Sequence, residues 1–277
     1  MCPHLCVGTA NRKKRTLKLN RGLLLALWIG ATSQAQDFKQ RFCESAANRD
    51  QAEVIAQSEN RIAFKNDGGL LNEGVCWWHS RLQRSATYLA VFRPELPKPD
   101  LNQVQKILAQ LKDLSSVVEI PGFQNFNEFT LQWHSAIQTF LNQWQLEDGI
   151  VYSAWIRGLA GSHQGNPEKL QATLLKVQRQ VQVDRRISYL KLKFKKFGAH
   201  AWLVYSVESV PLGLKLGVID SNFLKPVEYL YHWGDPLIRS TAYGDFMPYL
   251  EQSDDFTPIE RAVEQYCRAA DVVDQFH

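Results

Sequence analysis

Residues 198–222 read GAHAWLVYSVESVPLGLKLGVIDSN, and the two-residue rhythm of this stretch decides the fold. Apolar positions alternate through "HAWLVYSVE" (200–208) and again through "LKLGVIDSN" (214–222), with "SVPLG" (209–213) between them. Two alternating runs separated by Pro and Gly are the pattern of a β-hairpin. Side chains two apart in a strand share a face. His200, Trp202, Val204 and Ser206 are therefore expected on one face, and Leu216, Val218 and Asp220 on one face of the partner strand. A turn centred on Val210 sets Trp202 opposite Val218 and His200 opposite Asp220, about 5 Å apart at Cβ. A slip of two residues brings Asn222 opposite His200 instead. A slip of one would turn the apolar set to the wrong face, so parity is better determined than the pair.

Working outward, "ISYLKLKFKKF" (187–197) alternates in the same way and reads as a strand with a lysine-lined solvent face. Before Asp184 the period is helical. Asp37 to about Gln57 is rich in Ala, Gln and Glu, and Cys76 to about Phe92 carries Trp78, Leu82 and Leu89 on one stripe. "RPELPKPD" (93–100) interrupts with three prolines. The helical patterns resume in "LNQVQKILAQLKDL" (101–114) and "NFNEFTLQWHSAIQTFLNQW" (125–144). In "NPEKLQATLLKVQRQVQ" (166–182), Asn166 is the expected cap and Pro167 the first helical residue. Trp133, Trp144 and Trp155 are assigned to the core of this helical half. The tail "IERAVEQYCRAADVV" (259–273) returns to helix. Helices first and an antiparallel meander afterwards describe an α+β domain.

The amino terminus reads as an export signal over residues 1–35. Arg12, Lys13, Lys14, Arg15, Lys18 and Arg21 precede the apolar run "GLLLALWIG" (22–30), and "ATSQAQ" places Ser33 and Ala35 at the small-residue positions of a cleavage site. The run is too short to span a bilayer, a retained anchor being the alternative. The mature chain is expected to begin near Gln36 and to form a single domain over 36–277, with a helical insert at about 97–184. Removing six basic residues from 32 leaves 26 against 28 acidic ones, a net charge of −2 in place of +4. Nucleic-acid binding then loses its main support, and no stable membrane span remains. Cys2 and Cys6 leave with the signal, so Cys43, Cys76 and Cys267 remain. Bridging Cys43 and Cys267, which lie near the two ends of the mature chain, would leave Cys76 free; three buried thiols are the alternative.

Cys76 stands in "NEGVCWWHS" (72–80). If a helix starts there, the unpaired N–H groups of its first turn and the positive end of its dipole surround the sulfur, which favours a thiolate. The same N–H groups can receive an oxyanion. Gly74 allows a sharp turn and an open approach. A thiol needs a base, and the hairpin offers His200 with Asp220 to orient it. Taken singly, each of these residues has an ordinary structural explanation, and their joint arrangement is what points to chemistry.

"GVCWW" (74–78) resembles the cysteine–tryptophan nucleophile segment of papain-like cysteine peptidases. "AHAWLVYSV" (199–207) followed by "GVIDSN" (217–222) is similar to their histidine strand and the strand after it. "IDSN" resembles the Asp-Pro-Asn segment of the secreted virulence-type branch, while "HAW" and "ID" also resemble the transglutaminase-like branch, where the gap between cysteine and histidine is usually shorter. The resemblance implies a papain-like α+β fold, with a helical first half packed on a C-terminal antiparallel sheet and the nucleophile at a helix N-terminus. It implies a secreted thiol hydrolase, a cysteine peptidase or amidase working through a Cys76–His200–Asp220 catalytic triad on a peptide or protein substrate, without a cofactor. Asn72 and the Cys76 N–H are the expected oxyanion donors, and Asn222 is the fallback for orienting His200. Trp77, His79 and Trp202 are expected to border the cleft, with Trp78 in the core. One departure stands out. The family's oxyanion glutamine lies six residues before the cysteine, where this chain has Leu70. Gln57, Asn60 and Asn66 are the other upstream amides.

Three other readings compete. Cys76 and His79 have the i, i+3 spacing of metal ligands on a helix, but His134, His163 and His232 supply no paired pattern to complete a site. The same nucleophile could serve a transglutaminase-like acyl transferase. The fold could also persist as a non-catalytic exported binding protein with a vestigial Cys76.

Overall fold

The computed structural model describes residues 38–48, 51–69, 74–150, 165–194, 199–242, 244–250 and 256–274. The expected export signal lies outside them. Among the described residues, eight α-helices precede or flank the sheet: α1 (38–48), α2 (Gln51–Ala56), α3 (Cys76–Leu89), α4 (Leu101–Asp113), α5 (Phe126–Gln132), α6 (His134–Ile150), α7 (Pro167–Gln182) and α8 (Phe256–Asp274). Side chains set several of their starts. Asp100 accepts from the Gln103 N–H at 2.9 Å while the Gln103 side chain accepts from the Asp100 N–H at 2.8 Å, a reciprocal cap directly after the prolines. Asn125 caps α5 by accepting from the Glu128 N–H, and Asn166 caps α7, with Pro167 first in the helix. The sequence 125–144 is two helices rather than one, parted at Trp133. α3 ends at Leu89, and Ala90–Arg93 becomes a short strand, β1, that pairs in parallel with β2 (Val118–Pro121). No helix among the described residues is long and apolar enough to cross a membrane.

The larger sheet is antiparallel and six-stranded: β3 (Ser188–Phe194), β4 (Ala199–Val210), β5 (Gly213–Asp220), β6 (Val227–His232), β7 (Ile238–Ser240) and β8 (Gly244–Leu250), in the order β6-β5-β4-β3-β8-β7. The edge strands β6 and β7 approach each other, so the sheet curls almost into a barrel. Its concave face buries Leu190, Leu192, Trp202, Val204, Leu216 and Val218, capped by Leu170, Leu174 and Val177 of α7. Its convex face packs Tyr189, Ala201, Leu203 and Ile219 against the helical half. The central strand β4 is thus covered on both sides, which is why "AWLV" is apolar without a break. The same packing corrects the expectation of a lysine-lined solvent face. β3 is an interior strand, and Lys191 and Lys193 are only 5% exposed. Their ammonium groups lie over the rings of Trp77 (4.1 Å) and Tyr249 (5.9 Å).

The hairpin corrects a second expectation. The turn is the pair Pro211–Leu212, since Val210 pairs with Gly213, and the ladder then shifts between Val204 and Ser206. Tyr205 is the extra residue of a β-bulge. Beyond it Val204 pairs with Val218 and Trp202 with Asp220, so Asp220 faces Trp202 and lies diagonally from His200. Ser206 turns to the other face and is exposed. Had the turn-side register continued without this shift, Asp220 would stand opposite Leu203 and would not share a face with His200. The bulge restores the parity that puts Asp220 and His200 on one side.

Candidate active site

Residues around Cys76 bind the start of α3 to three other segments. Gly74 has φ +87, and a side chain there would collide with the amide of Asn66. Asn66 Oδ1 accepts from the Val75 N–H at 2.5 Å, its own backbone N–H donates to Ser221 O at 2.6 Å, and its Nδ2 donates to Asn222 Oδ1 at 3.0 Å. One amide thus ties the helix start to the end of β5. After the cysteine, each side chain of "WWH" finds a different partner. Trp77 Nε1 donates to His200 O at 3.1 Å, Trp78 Nε1 to Asp148 Oδ2 at 2.7 Å, and His79 Nε2 to Phe64 O at 3.1 Å. Ser80 Oγ adds a contact to Ala201 O at 3.4 Å.

These contacts revise the expected cleft. Trp77 is 7% exposed and His79 6%, so both are buried struts rather than rim residues. Their polar atoms find partners only inside the fold, which draws the rings inward. Trp202 is fully buried in the barrel and donates from Nε1 to Asp220 Oδ2 at 2.9 Å; it holds the carboxylate and does not wall a cleft. Trp144 is buried and Trp133 partly so, while Trp155 lies outside the described residues.

Cys76, His200 and Asp220 come together at the junction of the two halves. His200 Nε2 donates to Asp220 Oδ1 at 2.7 Å, and the same ring is hydrogen-bonded to the Cys76 sulfur, for which Nδ1 is left. Asp220 also accepts from the Asn222 N–H at 2.9 Å and from the Tyr229 hydroxyl. Burial opposes a charge on His200, but the Cys76 sulfur and the Asp220 carboxylate outweigh it and raise the ring to about 10. The imidazolium is therefore the resting form at neutral pH.

Asn222 supports Asp220 through its backbone and meets Asn66 through its side chain. Asn72 lies outside the described residues. Of the remaining upstream amides, Asn60 bonds Val54 O and Gln57 Oε1, whereas Asn66 lies against the helix start. The sequence could have favoured Asn66, because Gly74 needs a neighbour close enough to exclude a Cβ. Tyr229 carried no sequence signal, since its role depends on how the barrel closes.

His79 contrasts with His200. Burial lowers it to about 4, with the Phe64 carbonyl only partly offsetting the effect. The unfolded ring takes a proton near pH 6.5 while the folded ring resists until about 4. Its contribution to stability is therefore complete above 6.5 and is lost as pH falls through about 4, amounting to about 3 kcal/mol. His79→Gln keeps a donor toward Phe64 O but does not titrate. Its denaturant midpoint should fall less between pH 7 and 4.5 than that of the wild type; parallel acid curves would refute this.

Cys43 and Cys267 form a disulfide joining α1 to α8, with S–S 2.04 Å and Cα–Cα 5.7 Å, and Cys76 is a buried free thiol. Among the described residues, no group of three or more His, Cys, Asp or Glu is arranged to hold a metal ion. Compared with known proteins, the chain matches no family model, no curated protein and no solved structure.

Proposed function

We propose that this protein is an exported thiol hydrolase of papain-like architecture, a cysteine peptidase or amidase that forms an acyl-enzyme on Cys76. The observation that carries the reading is the His200 ring, held between the Asp220 carboxylate and the Cys76 sulfur at the N-terminus of a 14-residue helix. In this reading the thiolate attacks an acyl carbonyl, and the imidazolium delivers its proton to the leaving amine. Neutral His200 then takes a proton from water as the acyl group is hydrolysed. The helix N-terminus, including the Cys76 N–H, stabilises the oxyanion, and Asn66 is the described amide nearest to helping it. The Cys43–Cys267 disulfide supports export to a periplasmic or extracellular compartment.

A thiol-directed acyl warhead should label the wild type at one site and leave Cys76→Ala unlabelled; full labelling of that variant would sink the assignment. Release of ammonia with incorporation of an amine would indicate a transglutaminase-like transferase instead. A non-catalytic protein of the same fold draws support from Leu70 at the glutamine position and from the 8% exposure of Cys76. Alkylation by iodoacetamide that remains fast well below pH 8 excludes it.

A further inference from the structure

Helix α6 grips the chain on both sides of Cys76. Its residues Gln138, Asn142 and Gln145 follow the i, i+4, i+7 spacing of one helix face and turn their amides onto the loop that leads into the nucleophile. Gln138 Nε2 donates to Asp67 O at 2.8 Å and to Asn142 Oδ1 at 2.9 Å. Asn142 Oδ1 also accepts from the Gly69 N–H at 3.0 Å, and Gln145 Nε2 donates to Gly74 O at 3.1 Å. The Gly74 N–H donates to Gly68 O at 2.8 Å, which ties Gly74 directly to the residues that Gln138 and Asn142 hold. Its glycines fit this grip. Gly68 and Gly69 have φ +66 and +78, and a Cβ on either would stand 2.9 Å from the amide of Gln138 or Gln145. Beyond the cysteine, Asp148 of the same helix accepts from Trp78 Nε1 and pairs with Arg81 at 3.1 Å. α6 can act as a fixed frame because Ile137, Leu141 and Trp144 anchor it in the core.

We propose that α6 is the positioning element for the nucleophile, and that its amide ladder Gln138–Asn142–Gln145 sets where the Cys76 thiol stands relative to His200. The proposal rests on the catalytic reading above. A ladder rung acts through the loop backbone, so its loss shifts the thiol without removing a reacting group, and displacements of about 1 Å can cost about 10²-fold in rate. The effect should grow toward the cysteine, with Gln145 (bonded two residues before Cys76) mattering most and Gln138 least.

The test is the rate of Cys76 labelling by the acyl warhead in Gln145→Met, Asn142→Leu and Gln138→Met, with Gln178→Met as control. Gln178 donates to Ser209 Oγ at 3.0 Å, so the control removes one amide hydrogen bond at a different place. Gln145→Met should lower the rate about tenfold or more at about pH 6. Much of that loss should be recovered near pH 9, where labelling depends less on the contact between the sulfur and His200. Asn142→Asp keeps the acceptor for Gly69 and should label faster than Asn142→Leu. A merely structural rung would lower thermal stability as the control does but leave the pH profile unchanged. Ladder variants with the rate and profile of Gln178→Met would overturn the proposal. If Gln145→Met does not fold, Asn142→Leu, the next rung, decides in the same way. Wild-type labelling no faster than that of the unfolded chain would remove the catalytic reading, and the proposal with it.

Discussion

Asp220→Asn is expected to slow acylation of Cys76 by about 10⁴-fold, the cost of losing the carboxylate that orients a catalytic imidazole. Four donors converge on Asp220: His200 Nε2, Trp202 Nε1, the Asn222 N–H and the Tyr229 hydroxyl. An amide can accept on one atom only. Its NH₂ group would face a donor, either the imidazole or the indole, and the ring must turn away from the sulfur or the indole must go unpaired. Removing one partner of a buried pair costs about 3 kcal/mol or more, so a fall in stability should accompany the loss of rate. The pH dependence carries its own signature. With His200 raised to about 10, the stability contributed by its charged form is complete below the unfolded value of 6.5 and fades as pH rises through about 10. In Asp220→Asn one raising partner is gone, so the alkaline fade should be smaller and complete at a lower pH. A variant that labels within about tenfold of wild type would remove Asp220 from the proposed catalytic group.

Opening the Cys43–Cys267 bridge should produce the largest loss of stability. The two cysteines are 224 residues apart, and closing so long a loop restricts the unfolded chain by about 5 kcal/mol in the chain-entropy model. For a domain of this size that corresponds to a fall of about 10 °C or more in Tm for the Cys43→Ser, Cys267→Ser double variant. Thiol titration of the mature denatured chain should count one group without reductant and three with it. Equal melting temperatures for bridged and unbridged chains would refute the expectation.

Much of the fold was legible because local chemistry wrote it. Asp100, Asn125 and Asn166 mark helix starts that the structure keeps. The alternation in β3, β4 and β5 fixed three strands. β6, β7 and β8 went unread: β6 and β7 are the two edges of the sheet and β8 lies beside β7, and although "VEYLYH" alternates, "IRS" is too short to carry a pattern. Cys76, His200 and Asp220 could be named together from sequence, but the register of the hairpin could not, because a bulge is a property of two strands together. Trp77, His79 and Trp202 are expected at a cleft from the resemblance to papain-like peptidases. They lie inside because each has a polar atom whose partner is within reach only there. The ladder on α6 stayed hidden because Gln and Asn on a helix look like ordinary surface residues until the loop they hold is in view.

The bulge at Tyr205 means that the alignment of His200 with Asp220 depends on spacing in one part of β4 and is insulated from the rest. Deleting Tyr205 would make Val204–Val218 and Ser206–Gly217 successive pairs and leave Trp202 opposite Asp220, so the strand would straighten and the imidazole would keep its carboxylate. Deleting one residue between His200 and Val204 would instead turn the His200 side chain to the other face of the sheet. Two chains with the same Cys, His and Asp could therefore differ by one position of spacing in whether those groups meet. For this architecture, the count of residues along β4 from His200 to Val204 is as telling as the three residues themselves.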